Sequence, residues 1–123
     1  LAAAALAACA FILAPLSARR RCAAASQRLS RGEIPAAVEA FSAAASLDPL
    51  SSTAQRGWAR ALAALPLRDL GQVVLRQTRA IELDRLNAVL WRELGDYLRE
   101  AGRLDEARRA YETAASLRPG KAD

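Results

Sequence analysis

Apolar residues follow two different patterns along this chain. Residues 1–18 form an apolar run without a single charged side chain. From Arg19 onward, apolar residues recur three and four apart between charged ones. That is the spacing of helices with one buried face. Trp91, Leu94 and Leu98 share one such face, and Ala107, Tyr111, Ala114 and Ala115 share the next. Between them, Ala101-Gly102-Arg103 reads as a turn, its glycine free to take the left-handed conformation that ends a helix. The second helix is expected to start near Asp105, whose carboxylate suits a helix N-terminus, and to stop at Pro119. The pattern predicts a helical hairpin.

The hairpin recurs. Tyr111 aligns with Gln77 and Phe41, Ala114 with Ala80 and Ala44, Leu117 with Leu83 and Leu47, and Ala107 with Val73 and Ala37. In the middle unit Trp58, Ala59 and Leu62 stand where the last has Leu94, Gly95 and Leu98. Two extra residues in the middle unit fall in the turn Leu65-Pro66-Leu67-Arg68-Asp69. The first unit has a clear second helix, from Pro35 to Leu47, after a turn at Gly32. Its first helix, about Arg20 to Ser30, lacks large residues and is expected to run on from the apolar segment. The units span about 19–49, 52–85 and 86–119, and residues 120–123 form a tail.

The last unit reads Trp91-x-x-Leu94-Gly95-x-x-Leu98, then Gly102, Ala107-x-x-x-Tyr111, Ala114 and Pro119. This closely resembles the tetratricopeptide repeat, a 34-residue helical hairpin with Trp, Leu-Gly, Tyr, Ala, Phe and Pro at matching places. Leu98 stands where the family usually has Tyr, and Tyr111 where it has Phe. The fold implied is an all-α solenoid of three hairpins preceded by an apolar, transmembrane helix. The function implied is binding of a partner protein or peptide on a concave face lined by the first helix of each hairpin. The groove positions are then Arg56, Arg60, Ala63, Val89, Arg92, Asp96 and Arg99. Arginine forks pair well with carboxylates, which points to an acidic or C-terminal peptide. The competing reading is that these arginines solvate an exposed face and pair with Glu93, Asp96 and Glu100. The Lys/Asn carboxylate clamp of chaperone-binding members is absent: Asn87 is the only Asn, and no Lys precedes Lys121.

Residues 1–18, as a helix, would reach about 27 Å at roughly 1.5 Å per residue. That is a little short of a hydrocarbon core of about 30 Å. Arg19-Arg20-Arg21 follows at once, and such clusters stay on the cytoplasmic side. The expectation is a bacterial inner-membrane anchor with cytoplasmic repeats, or periplasmic ones if the orientation is reversed. A soluble Ala-rich helix, a signal peptide, or a lipoprotein signal ending at Cys9 remain alternatives. The arrangement of apolar segment, basic cluster and short repeats also resembles the C-terminal tail of bacterial O-antigen ligase or polymerase-type membrane enzymes. On that alternative the catalytic part lies outside these residues.

Composition narrows the chemistry. There is no His, and the two cysteines, Cys9 and Cys22, have no metal-ligand spacing. No Gly-rich phosphate loop and no nucleophile with a base is present, so no cofactor, no metal and no catalytic residue is expected. The net charge of +5 could suit nucleic acid. However, the only dense basic run abuts the apolar segment, and elsewhere Arg alternates with Glu and Asp. Trp58 and Trp91 fall at core positions of the repeat instead of on a stacking surface. Neither nucleic acid nor a small-molecule substrate is therefore expected, and membrane contact is confined to residues 1–18.

Overall fold

The computed structural model describes the backbone of residues 2–117 and the side chains of residues 15–117. Six helices follow in order: α1 (Ala2–Ser30), α2 (Ile34–Leu47), α3 (Ser52–Ala64), α4 (Leu70–Leu83), α5 (Ala88–Glu100) and α6 (Leu104–Ser116). They pair as hairpins α1/α2, α3/α4 and α5/α6, and each second helix packs on the next first helix. Helix α1 also touches α3 directly, and α3 reaches α5 through the Arg56 and Glu93 side chains.

Local chemistry sets the helix ends. Gly32 and Gly102 have φ of +80° and +78°. At both, the next residue's N–H closes a long bond back into the helix: Glu33 to the Arg28 carbonyl and Arg103 to the Leu98 carbonyl, each 2.9 Å. Gly32 and Gly102 themselves donate to Leu29 and Arg99. This pair of bonds satisfies carbonyls that a helix end otherwise leaves bare. The middle hairpin turns without a glycine. Its five-residue turn ends at Asp69, whose carboxylate accepts from the Gln72 N–H. Ser51 and Asn87 cap α3 and α5 in the same way, through the N–H groups of Ala54 and Val89.

Two hydrophobic clusters hold the array together. The first joins Ala18, Cys22, Ala25, Ala37, Phe41, Ala44, Ala45, Ala54 and Ala61. The second joins Ala80, Ile81, Leu90, Leu94, Leu98, Ala107 and Ala110. Between them Gln77, fully buried, takes the place of the aromatic residue in the other two hairpins. Its amide donates to the Leu90 carbonyl at 3.0 Å and to Glu93 at 3.4 Å, so the polar group is partly satisfied by α5.

Several expectations are corrected. The first helix of the first hairpin runs on from the apolar segment, as expected, but the boundary near residue 18 is not a break between elements. One helix runs from Ala2 through Ser30, because Ala has the highest helix propensity and nothing after Pro15 interrupts it. Ala18 lies in the core of the first hairpin, and Cys22 and Ala25 continue that face. Of the residues expected on the buried face of α6, Tyr111 is half-buried and Ala115 exposed, because no further helix covers them among the described residues. Helix α6 ends at Ser116, before Pro119, which lies outside the described residues. Among the described residues, no helix is long and apolar enough to cross a membrane. The side chains of residues 1–14, where most of the expected membrane segment falls, are outside that description, as is Cys9.

Candidate partner-binding face

Helices α1, α3 and α5 line one side of the array. Between α1 and α3 lies a cavity of about 90 Å³. Phe41 forms part of its lining, with Gly57, Thr53, Ser26, Arg56 and Arg60 around it. Gly57 is needed there, because a Cβ would run into the Phe41 ring. The close approach of α3 to Phe41 thus shapes this hollow.

Arg56 and Glu93 bridge α3 to α5. The guanidinium donates through Nε to Oε1 at 2.8 Å and through Nη2 to Oε2 at 3.0 Å. A two-pronged bond of this kind fixes direction as well as distance. It raises the Arg56 pKa, against a lesser opposing effect of burial. Next to this pair Tyr97 is half-buried, and its phenol is pushed up to about 12. Burial is the main cause, followed by the Glu93 carboxylate, while Arg60 and Arg56 oppose the rise. Tyr97 is therefore a neutral hydroxyl beside Arg60 at ordinary pH. Arg60 is exposed and has no ion-pair partner among the described residues.

The expected groove residues divide into three places. Arg56 and Arg60 come together at the cavity. Arg92 lies at the far end of the array, lining a hollow with Tyr111, Ala114 and Ala115. Asp96 accepts a hydrogen bond from the Tyr111 hydroxyl and sits 3.7 Å from Arg99. Val89 is exposed and Ala63 half-buried, and neither lines a described cavity with the arginines. The solvated-face alternative thus holds for part of the set: Arg56 pairs with Glu93 and Arg99 with Asp96. Glu100 pairs with Arg68, which the sequence reading did not consider, at 3.2 Å.

Ser26, Thr53 and Tyr97 were missed as members of this face. The residue signal was present. Tyr97 follows Glu93 by one helical turn, and Glu93 occupies the register of Gly57 in the preceding hairpin. Arg76 was also missed; its guanidinium lies 3.8 Å from the Trp58 ring centroid, a cation held over an aromatic face.

Comparison with known proteins agrees with this architecture. The tetratricopeptide repeat family model matches residues 88–121. No curated protein matches the sequence. Among solved structures, the second repeat domain of Spaghetti (RPAP3) bound to the HSP90 peptide SRMEEVD superposes with a TM-score of 0.75 at 20% identity. That match covers 82% of this chain and 92% of the other. MamA superposes with a TM-score of 0.77 at 23% identity, over 85% of this chain and 60% of MamA. The Yersinia enterocolitica type III secretion translocator chaperone SycD gives 0.77 at 18% identity, over 86% and 79%. At these identities the likeness is one of fold. Residues 88–121 match the tetratricopeptide repeat, and the described residues share the fold of tetratricopeptide-repeat proteins.

Proposed function

We propose that this chain is a protein-interaction scaffold that receives an acidic peptide segment along the face of α1, α3 and α5. The observation that carries the reading is Arg60. It is an exposed cation without an ion-pair partner among the described residues, at the rim of a hollow that also offers the Ser26 and Thr53 hydroxyls. A carboxylate placed there would gain a charge-assisted bond and would find a second arginine, Arg56, beside it. The Spaghetti repeat domains of similar fold bind a peptide ending in Glu-Glu-Val-Asp, and SycD is bound to a peptide of the translocator YopD. Peptide binding is thus within the reach of this fold.

The test is titration of the full chain with a labelled peptide rich in Glu and Asp, beside a Lys-rich control. Binding of the acidic peptide should weaken by about tenfold in Arg60→Glu, and it should fall with added salt as exposed charge pairs do. Arg60→Lys should retain most of it. Equal affinity of the parent chain and Arg60→Glu would overturn the reading.

We also propose that the uncharged residues before Pro15 tether the repeats to a membrane, with the triple arginine at 19–21 on the cytoplasmic side. The lack of charge in that segment and the basic cluster after it support this reading. Detection of the native protein in washed membranes tests it, and recovery in the soluble fraction would end it. A band far heavier than 13.1 kDa would instead make these repeats the tail of a larger membrane protein.

A further inference from the structure

We infer that the slot between α1 and α2, on the side of α1 away from the inner-face hollow, receives an amphipathic helix of a partner protein that carries bulky apolar side chains between two carboxylates. The hairpins share a slot at this place and fill it differently. In the third, Trp91, Leu94 and Leu98 of α5 face Ala110 and Thr113 of α6 around a hollow of about 230 Å³. In the second, Trp58 stands in the register of Leu94 and Arg76 in that of Ala110, and the Arg76 guanidinium lies over the Trp58 ring. Aligning Gly32 with Gly102 brings Arg21, Ala24 and Arg28 to the places of Trp91, Leu94 and Leu98, with Ala40 and Ala43 opposite. These residues line a hollow of about 350 Å³, and no large apolar side chain is among its lining.

Two cations mark the ends of this slot. Arg21 and Arg28 are exposed, and neither has an ion-pair partner among the described residues. Seven residues apart on one helix face, they stand about 10 Å apart along the axis. Glu39 of α2 lines the same hollow and offsets one of the two charges, which leaves the slot net positive. The matching occupant repeats this spacing: carboxylates seven residues apart on one face, with leucine-sized side chains midway to enter over Ala24 and Ala40. Apolar groups gain there by leaving water, and the carboxylates fix the register.

Other occupants match less well. In this chain's helices, acids seven residues apart are Glu93 with Glu100, held by Arg56 and Arg68, and Asp105 with Glu112, which enclose Arg108 and Arg109. A second copy therefore supplies no free pair with apolar residues between. A bilayer reaches too little of the slot. Standing upright after Pro15, α1 carries Arg28 about 20 Å further on, well past a headgroup layer of about 6 Å. The slot is also a flank of the hairpin and not its stacking face, since in the third hairpin it stays open although α4 packs on α5.

The inference is independent of the inner-face reading, because Ser26 of the inner hollow lies about 160° around α1 from Arg28. The probe is a helical peptide of Ala and Gln with Glu at its fourth and eleventh residues and Leu at its seventh and eighth. It is titrated into the full chain and followed by fluorescence anisotropy. Binding is expected, and it should weaken about tenfold in Arg28→Glu. Ala24→Leu puts into the slot the side chain that Leu94 supplies in the third hairpin, and should abolish binding with helicity unchanged by circular dichroism. Arg60→Glu should bind the probe as the parent does. No binding by the parent, or an affinity unchanged in Arg28→Glu or in Ala24→Leu, would overturn the inference. Flotation with phosphatidylglycerol vesicles that Arg28→Glu abolishes would give the arginine to a membrane, and self-association that Arg28→Glu abolishes would give it to a second copy; either would overturn it as well.

Discussion

The two hydrophobic clusters close the same kind of junction by different means. The cluster around α1–α3 is built almost wholly from alanines, with Cys22 and one large side chain, Phe41. The cluster around α4–α6 uses Ile81, Leu90, Leu94 and Leu98 over two alanines of α6. Small residues bring helices close and gain stability from many weak contacts, while leucines gain it from area removed from water. A junction with one large residue depends on that residue. One with several leucines distributes the same load.

The largest effect should come from removing the one large residue that is fully buried in the first cluster. Phe41, 2% exposed, should cost about 3–5 kcal/mol as Phe41→Ala, read from urea unfolding. Leu90→Ala, at 1% exposed, falls within about 2–5 kcal/mol and should land below Phe41→Ala, since Leu94 and Leu98 remain to close the gap. The reverse order would mean the leucine cluster is the less tolerant of the two.

A matched pair of glycines sharpens the contrast. Gly57→Ala drives a methyl into the buried Phe41 ring, which alanine neighbours cannot relieve. It should cost about 1–3 kcal/mol, less the gain of up to about 1 kcal/mol in helix propensity. Gly95→Ala meets the Tyr111 ring instead, which is half-buried at the open end of the array and can swing outward. Its thermal midpoint should lie close to the parent's. Equal losses at the two glycines would show that the ends of the array are packed alike.

The smallest effect concerns pH. The Tyr97 phenol is held above its ordinary value, so folding favours its neutral form. Its contribution is fully present below the unfolded value of about 10 and is lost as pH rises through about 12. Tyr111 and Cys22 are also raised, chiefly by burial, and add to the slope. Tyr97→Phe should make stability fall less steeply over this range, measured by urea unfolding at successive pH values. An unchanged slope would remove Tyr97 as a source of the alkaline loss.

Much of this fold could be read from spacing. The matched offsets of Phe41, Gln77 and Tyr111 fixed three hairpins, and Gly32 and Gly102 fixed two turns, because each needs a specific residue size or backbone freedom. The first helix of the first hairpin was legible only in part. Its core face, Ala18, Cys22 and Ala25, carries no large residue, so nothing in the pattern separated it from the apolar run before it. The candidate face was less legible still. Helical register places Arg56 and Arg60 on one first helix, but the pairing of Arg56 with Glu93 crosses between hairpins and depends on the distance between α3 and α5. The separation of Arg92 from Arg60 came from the same cause. Register places both on first helices, whereas the end of the array decides which has a neighbour.

Cys22 turns the tight alanine seam into a clock. Cys22 is 5% exposed, at the base of a hollow it lines with Arg19, Asp48 and Thr53, and its ionisation is disfavoured, chiefly by burial, so alkylation is slow in the folded chain and speeds up when α1 lifts away. With Cys9 replaced by Ser, the labelling rate would count those openings one by one. Its ratio to the rate in the unfolded chain would set a lower limit on the free energy of parting the first hairpin, separately from unfolding of the whole array.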